Sequence, residues 1–316
     1  MMQVFVYEYL SGGGLVDGDA AATEALMPQG QAMRDALVAD LLASGDCEVR
    51  AASCARAGAL PAGAAGVEAR AGETPIEFAA RLAAQHDAAW IIAPETGGCL
   101  AEFERAIAAP RWRGCDARSI AIASSKSATL RHLAAHDVAT PWAFAAGATR
   151  WVVKPDDGAG SVATRMHANR LAAEADLAAR AARGEIACLE PWVAGEALSL
   201  SLLCEAGRAE LLSVNRQRMA TLADGTLRYE GVEIDVLPRA SARWPGFAAL
   251  AARVYSALPG LRGFVGIDVI ASEGHAPVLI EINPRLTCAY VGLSRRLGRN
   301  LAREMLGLRG LEPSHA

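Results

Sequence analysis

The order of strand-like and helix-like segments constrains the fold of this chain more than any other sequence feature. Near the N-terminus, three short runs rich in β-branched and aromatic residues read QVFVYEYL, CEVRAASC and AAWIIAP. They alternate with Ala-rich, helix-like stretches near residues 28–43, 75–85 and 99–109. Such alternation predicts βαβ units with a parallel sheet, so we expect an α/β domain over residues 1–117.

The pattern changes from about residue 150. Strand-like runs then follow one another: WVVKP, ACLEPWV, ALSLSLLCE, AELLSVNRQ, FVGIDVIA and APVLIEIN. With only two helix-like stretches among them, near 171–182 and 246–257, they predict an α+β region of mainly antiparallel pairing. Between the two regions, SIAIAS predicts a strand and residues 126–136 predict a Ser-capped helix. We place the domain boundary in the loop near 112–118 and expect a second domain over 118–316.

Composition excludes several classes of protein. Hydrophobic residues make up 52% and charged residues 21% of the 316 residues, which is typical of a globular chain of two or three domains. A formal net charge of -4 speaks against a surface built for nucleic acid. The seven cysteines show no CxxC spacing and predict reduced thiols. Without a signal-peptide pattern or a long apolar run, we expect a cytoplasmic protein that neither leaves the cell nor spans a membrane.

The segment VLIEINPRL interrupts an apolar strand at alternate positions. Glu281, Asn283 and Arg285 share one face because strand side chains alternate with a period of two. The preceding run GFVGIDVIA offers Asp268, and the polar turn SEGHAP between the runs predicts an antiparallel hairpin with Asp268 near Glu281.

Two carboxylates buried next to each other repel, unless a cation lies between them. Asp, Glu and Asn supply hard oxygen ligands, which favours Mg²⁺, with Mn²⁺ as the alternative. The competing interpretation is an ordinary strand pair in which Arg285 neutralises the carboxylates.

Two lysines precede features that can bind phosphate. Lys154 ends an apolar strand and is followed by a glycine-rich loop at 156–161, whose backbone N–H groups can approach phosphate oxygens. The spacing matches neither the P-loop nor the dinucleotide-binding motif. Lys126 stands at the positive end of the predicted helix, which is unfavourable unless an anion binds there. Each lysine alone is equally compatible with a structural role.

The segment ACLEPWVAGEALSLS predicts a strand that ends in an apolar slot. Glu190, Trp192 and Val193 lie at its exit, where an apolar surface with free backbone edges suits a purine ring. Glu196 is a candidate for binding ribose hydroxyls. A core strand with an ordinary buried tryptophan is the alternative.

The order of these features along residues 118–305 resembles the ATP-grasp superfamily. The resemblance implies a Rossmann-like pre-ATP-grasp domain, then an ATP-grasp fold with a small subdomain at about 118–189 and a C-terminal subdomain at about 190–316. It implies an ATP-dependent ligase that joins a carboxylate to an amine through an acyl phosphate. Its partners would be a small-molecule carboxylate and amine rather than nucleic acid or a membrane. The resemblance leaves open whether the protein forms a homodimer.

The resemblance also assigns roles to the candidate residues. It implies that the phosphates of ATP are bound by Lys126, Lys154, Gly158, Gly160 and Ser161. Adenine would be bound by Glu190, Trp192 and Val193. Mg²⁺ would be bound by Asp268, Glu281 and Asn283. D-alanine ligase-like members carry an arginine where this chain has Gly266, so we expect Arg285 or Arg216 to act with Lys154 in catalysis. The ribose acid often sits one position after Glu196, where this chain has Ala197.

Shorter strings resemble a narrower group. VYEYLSGGGL, GEALSLS and NRQ are similar to ligases of methanofuran-type cofactor synthesis that join glutamate to tyramine or tyrosine. That resemblance places Glu8, Ser11, Gly12 and Gly13 on the substrate side. A ligase for another amino acid or dipeptide, or a nucleotide-binding module without turnover, is the alternative.

Overall fold

The computed structural model describes residues 1–15, 20–158, 160–272 and 274–308, without the side chains of 20–22. Ala159 of the predicted glycine-rich loop and Glu273 of the predicted turn lie outside the described residues. So do residues 309–316 of the predicted second domain.

The described residues form strands and helices in the alternating and then strand-rich order expected. The strands are β1 Met2–Glu8, β2 Cys47–Ala52, β3 Ala65–Val67, β4 Ala88–Ile92, β5 Trp151–Pro155, β6 Arg165–His167, β7 Ala187–Pro191, β8 Glu196–Glu205, β9 Arg208–Thr221, β10 Leu227–Glu233, β11 Gly263–Ala271 and β12 Val278–Asn283. The α-helices are α1 Ala20–Ala43, α2 Pro75–Ala83, α3 Cys99–Ala106, α4 Ala117–Ala123, α5 Lys126–Ala134, α6 Arg170–Ala182, α7 Trp244–Ala257, α8 Leu293–Leu297 and α9 Leu301–Met305. None of the helices in these described ranges is long and apolar enough to cross a bilayer.

Within residues 1–93, 102–114 and 286–316, the residues that the structure describes form one compact unit. Its sheet has the order β3-β2-β1-β4, and every pairing is parallel. The four consecutive residues Val4 to Tyr7 are completely buried, as expected of a parallel strand covered on both faces. The predicted parallel α/β sheet is therefore confirmed.

Helix α1 starts earlier than the sequence indicated. We expected a helix near residues 28–43, yet α1 begins at Ala20 and contains Pro28. Packing of α1 on β1 and β2 outweighs the break that proline favours.

The segment that follows β12 belongs to the same unit as α1. The hydroxyl groups of Tyr290 and Ser294 both donate to the carboxylate of Asp40 on α1, at 2.5 Å each. The side-chain amide of Asn300 donates to the Asp40 carbonyl at 2.7 Å. These buried bonds fasten the last helices to the parallel-sheet unit. Family domains need not coincide with compact units, so the predicted division at residue 117 stays a prediction.

The second compact unit comprises residues 94–101 and 115–285. It contains a five-stranded sheet of order β10-β9-β8-β11-β12 and a three-stranded sheet of order β6-β5-β7. Each neighbouring pair is antiparallel. The two predicted helices appear as α6 and α7, which confirms the antiparallel α+β region.

One predicted strand is wrong. SIAIAS lies in helix α4, whose N-cap Asp116 accepts a hydrogen bond from the backbone of Ser119 at 2.8 Å. Ser119, Ile120 and Ala123 are buried, which is helical spacing rather than the alternation of a strand. The next prediction is confirmed, because the Ser125 hydroxyl caps α5 by accepting from the backbone of Ala128 at 3.1 Å.

Candidate active site

One face of the five-stranded sheet carries the predicted metal ligands together. Asp268 on β11 is paired directly with Glu281 on β12, and Gly266 is paired with Asn283. The side chains of Gln217 and Asn283 hydrogen-bond the Asp268 carboxylate. The three oxygen-bearing side chains therefore converge, as alternation along two paired strands requires.

The two facing carboxylates have different electrostatic environments. Burial, and then the negative charge of Glu281, raise the pKa of Asp268 to about 7. Burial also acts to raise the pKa of Glu281, but the ammonium groups of Lys126 and Lys154 outweigh it and hold that pKa below its ordinary value. Ionisation of Asp268 beside Glu281 is therefore opposed, and a bound cation would relieve that opposition.

The donor set fits a hard divalent cation. Among the described residues, no group of three or more His, Cys, Asp or Glu side chains is arranged to hold a metal ion. The cluster here consists of the Asp268 and Glu281 carboxylates and the Asn283 amide. Burial opposes ionisation of the Asp268 carboxylate. Magnesium takes such oxygen ligands and retains open positions for phosphate oxygens.

Both predicted lysines reach this region from the other elements of the unit. Lys126, the first residue of α5, places its Nζ atom 3.3 Å from Oε2 of Glu281. Lys154 on β5 lies 2.9 Å from Oε1 of Glu190 on β7, and both side chains are less than 10% exposed. Burial acts to lower the pKa of Lys154, but nearby negative charges, chiefly Glu190, outweigh it and raise the pKa. Lys154 therefore stays a cation although it is buried.

The loop after β5 holds the start of α5. Asp156 accepts from the Ser125 hydroxyl at 2.5 Å and from the backbone N–H of Ser127 at 2.8 Å. The backbone N–H of Lys126 donates to the Asp156 carbonyl at 2.8 Å, and its ammonium group donates to the Gly158 carbonyl. Asp156 was not predicted as a site residue, because it is 31 residues from Ser125 in sequence and only the fold brings the two together.

A cavity of about 370 Å³ lies between the two sheets of this unit. The predicted phosphate and metal residues that line it are Lys126, Lys154, Gly158, Ser161, Asp268 and Glu281. The predicted adenine residues Glu190, Trp192 and Val193 also line it. Gly160 adopts a positive φ of 66°, the left-handed conformation that glycine favours.

Glu190, which the sequence assigned to adenine binding, also forms an ion pair in the cavity wall. Its carboxylate is the ion-pair partner of Lys154 and accepts a hydrogen bond from the Cys188 thiol at 3.6 Å. The structure therefore makes Glu190 the anchor of a buried cation at the cavity wall.

The predicted residues Arg216 and Glu196 do not line the cavity, and neither do Gly160, Asn283 and Arg285. Arg216 is paired with Leu198 across the strands and is 2.9 Å from Glu196, which also binds Arg243 at 3.1 Å. Their neighbours Gln217 and Ala197 line the cavity instead. Adjacent side chains of a strand point to opposite faces, so Arg216 and Glu196 lie on the face away from the cavity, and their catalytic and ribose-binding roles stay predictions.

Gln217 is a cavity residue that the sequence interpretation missed. It lines the cavity and hydrogen-bonds Asp268. The strings NRQ and NRQRM drew attention to the arginine, whereas the alternation of β9 would have indicated Gln217 and Met219, which share a face.

The predicted substrate residues lie in the parallel-sheet unit, with Glu8 at the end of β1 and the other three in the turn that follows it. The buried carboxylate of Glu8 accepts from the backbone N–H groups of Leu10 at 3.1 Å and Ser11 at 2.8 Å. Burial raises the pKa of Glu8. A side chain at Gly12 would meet the Tyr7 ring at 2.6 Å, and Gly13 has a φ of 106°. These contacts account for the local sequence, and the substrate role of the four residues stays a prediction.

Comparison with protein families agrees with this geometry. A model of the ATP-grasp domain matches residues 123–289, which is more than half of the chain. This chain belongs to the ATP-grasp family. A model of the pre ATP-grasp 3 domain matches residues 47–120, in line with the predicted order of domains.

Two curated relatives carry the same name. The tyramine--L-glutamate ligase of Methanocaldococcus fervens is 30% identical over 181 residues, covering 57% of this chain and 51% of that protein. The tyramine--L-glutamate ligase of Methanocaldococcus jannaschii is 29% identical over 210 residues, covering 66% of this chain and 58% of that protein. The matched part thus spans only a little more than half the length of either relative.

Solved structures share the fold at low identity. An ATP-grasp superfamily protein from Archaeoglobus fulgidus has a TM-score of 0.70 at 22% identity, covering 97% of this chain and 88% of that one. The L-amino acid ligase of Bacillus licheniformis has a TM-score of 0.66 at 15% identity, covering 100% and 76%. The D-alanine--D-alanine ligase of Bacillus anthracis, complexed with ATP, has a TM-score of 0.59 at 16% identity, covering 98% and 100%. These likenesses confirm the predicted fold.

Proposed function

We propose that this protein is an ATP-dependent carboxylate-amine ligase. The observation that carries the proposal is the position of Asp268 and Glu281, paired across two strands in the wall of a cavity that also holds Lys126 and Lys154. This set of charges suits a nucleoside triphosphate bound with a divalent ion. The ATP-grasp family and the names of the curated relatives support the same reaction class.

The apolar part of the cavity is the proposed adenine site. Trp192 and Val193 line it at the end of β7, and Val152 and Leu227 add apolar surface. Lys126, Lys154 and the backbone N–H groups of the loop at Gly158, Gly160 and Ser161 then face the triphosphate. Their positive charge offsets the charge on the phosphates.

Asp268, Glu281 and Asn283 are the proposed ligands of Mg²⁺, with Mn²⁺ as the alternative ion. When bound, such an ion neutralises phosphate charge and orients the group that is transferred. Gln217 orients Asp268 through its hydrogen bond, as partners of metal ligands commonly do.

The proposed reaction has two steps. A substrate carboxylate oxygen attacks the γ-phosphorus of ATP and releases ADP, which gives an acyl phosphate. An amine nitrogen then attacks the acyl carbon, loses a proton and expels inorganic phosphate, which leaves an amide. Arg285 is the proposed residue that stabilises negative charge on the transferred phosphoryl group, and the enclosed cavity limits hydrolysis by water.

For the substrates, we propose glutamate as the carboxylate and tyramine or tyrosine as the amine. The names of the two curated relatives and the resemblance of VYEYLSGGGL to such ligases support this choice. A D-alanine ligase-like or dipeptide-forming reaction is the second candidate, since enzymes of that kind share the fold.

The experiment is a matrix of carboxylates and amines incubated with the purified protein, ATP and Mg²⁺. We expect ADP release that requires both glutamate and tyramine or tyrosine, with a product of matching mass. ADP release only with D-alanine or another amino-acid pair would favour the second candidate. No ADP release above background with any pair would refute the ligase. The variant Glu281→Gln should fold normally and lose turnover.

A further inference from the structure

The short segment Glu95 to Gly97 contacts two parts of the proposed active site. It follows β4 in sequence yet belongs to the compact unit that contains the cavity. Oε2 of Glu95 lies 2.8 Å from Nη2 of Arg285, just beyond the end of β12. The Thr96 hydroxyl donates to the Asp157 carbonyl at 3.2 Å, and the Gly97 N–H donates to the Asp157 carboxylate at 2.9 Å.

Glu95 and Arg285 form a largely buried ion pair. Their side chains are 7% and 12% exposed. Within the described part of the chain, the second carboxylate oxygen of Glu95 is buried without a hydrogen-bond partner. A buried carboxylate holds its guanidinium in a narrow range of positions, because leaving either charge alone is unfavourable.

The held guanidinium lies near the proposed metal ligands. Arg285 comes two residues after Asn283, just beyond the end of the strand that carries Glu281. Glu95 therefore fixes a cation next to the strand of the proposed metal ligands. The backbone of the same segment is shaped by Gly97 and Gly98, with φ of 62° and 73°.

We propose that Glu95 is a positioning residue that holds Arg285 where it meets the phosphoryl group during its transfer. Thr96 and Gly97 fasten the glycine-rich loop from the same segment. This inference rests on the proposed function, since it assigns Glu95 a task in phosphoryl transfer. Glu95 itself touches neither nucleotide nor substrate in this scheme.

The test compares affinities for ADP and for ADP with aluminium fluoride, an analogue of the transferred phosphoryl group, both with Mg²⁺. We expect Glu95→Gln to weaken binding of the analogue about tenfold and leave ADP binding unchanged. Glu95→Asp should restore part of the loss. Arg285→Lys should show the same selective loss, and Glu95→Gln should add nothing in that background.

The matched control is Asp176→Asn, which removes the acid from another largely buried pair, with Arg180 on α6. It should leave both affinities unchanged. Equal weakening of ADP and analogue by Glu95→Gln, no weakening, or full additivity with Arg285→Lys would overturn the inference. If Glu95→Gln does not fold, the Glu95→Asp and Arg285→Lys variants decide in the same way. The measurement needs no carboxylate or amine, so absence of ligase turnover counts against the proposed function alone.

Discussion

Asp268 and Glu281 face each other on neighbouring antiparallel strands, and Lys126 lies 3.3 Å from Glu281. Two buried carboxylates thus lie in one wall of the cavity. Lys126 forms an ion pair with only one of them, Glu281. The arrangement is costly for a bare protein and favourable for one that binds a divalent ion.

Asp268→Asn should separate metal binding from folding. The amide removes one of two facing like charges, so the melting temperature in EDTA should not fall. The rise in melting temperature with Mg²⁺ and ATP should be lost, and turnover should fall on the order of 100-fold or more. Calorimetry with and without the ion measures this, with Asp224→Asn in the turn between β9 and β10 as control. A variant that still gains stability from Mg²⁺ and ATP contradicts the metal site.

Glu190→Gln should destabilise the small three-stranded sheet. It leaves the Lys154 ammonium buried without its carboxylate, which costs about 3–5 kcal/mol of unfolding free energy. The double variant Lys154→Met and Glu190→Gln should lose less than the sum of the single changes. Urea unfolding measures each free energy.

The control for that cycle is Glu185→Gln, which removes an exposed pair with Arg183. It should hardly change stability, since exposed ion pairs contribute little. Strict additivity of the Lys154 and Glu190 changes would show that the two side chains do not interact.

Trp192→Ala should weaken ATP binding. The ring lines the cavity, and losing its apolar surface costs about 1–2 kcal/mol, a change of roughly 5- to 30-fold in affinity. Titration calorimetry with a non-hydrolysable ATP analogue measures the effect. Arg150, whose guanidinium lies 5.5 Å from the ring centroid, provides the control variant Arg150→Ala, which should change affinity less. Unchanged affinity in Trp192→Ala would remove the ring from the adenine site.

Asp156→Ala should destabilise the protein in a pH-dependent way. Burial opposes its charge, but hydrogen bonds from Ser125 and Ser127 outweigh burial and lower its pKa. A carboxylate with a lowered folded-state pKa stabilises the protein above its unfolded-state pKa, and the stabilisation is lost as the pH falls through the folded-state value. At neutral pH, the variant should lose about 1–3 kcal/mol.

The measurement is the difference in melting temperature between wild type and Asp156→Ala from pH 7 downward. The difference should be constant above about pH 5 and shrink below the ordinary aspartate pKa of about 3.9. A difference that grows toward acid pH would show that Asp156 does not stabilise the protein in its charged form.

Local periodicity accounts for the candidate residues that the structure brings together. Glu281 and Asn283 share a face because strand side chains alternate, and a short turn brings Asp268 back beside Glu281. The same rule places Arg216 on the opposite face from the neighbouring Gln217, which lines the cavity. The strand predicted at SIAIAS failed because a short apolar run fits a strand and a buried helix equally well.

The sequence by itself determined the order of domains, the antiparallel character of the second unit, the two lysines and the three metal-ligand candidates. Only the tertiary structure decided that Glu190 anchors Lys154, that Tyr290 binds Asp40, and that Glu95 holds Arg285, which is 190 residues away. Periodicity and capping act over a few residues, whereas these pairs form only when packing brings distant segments together and buries their charges.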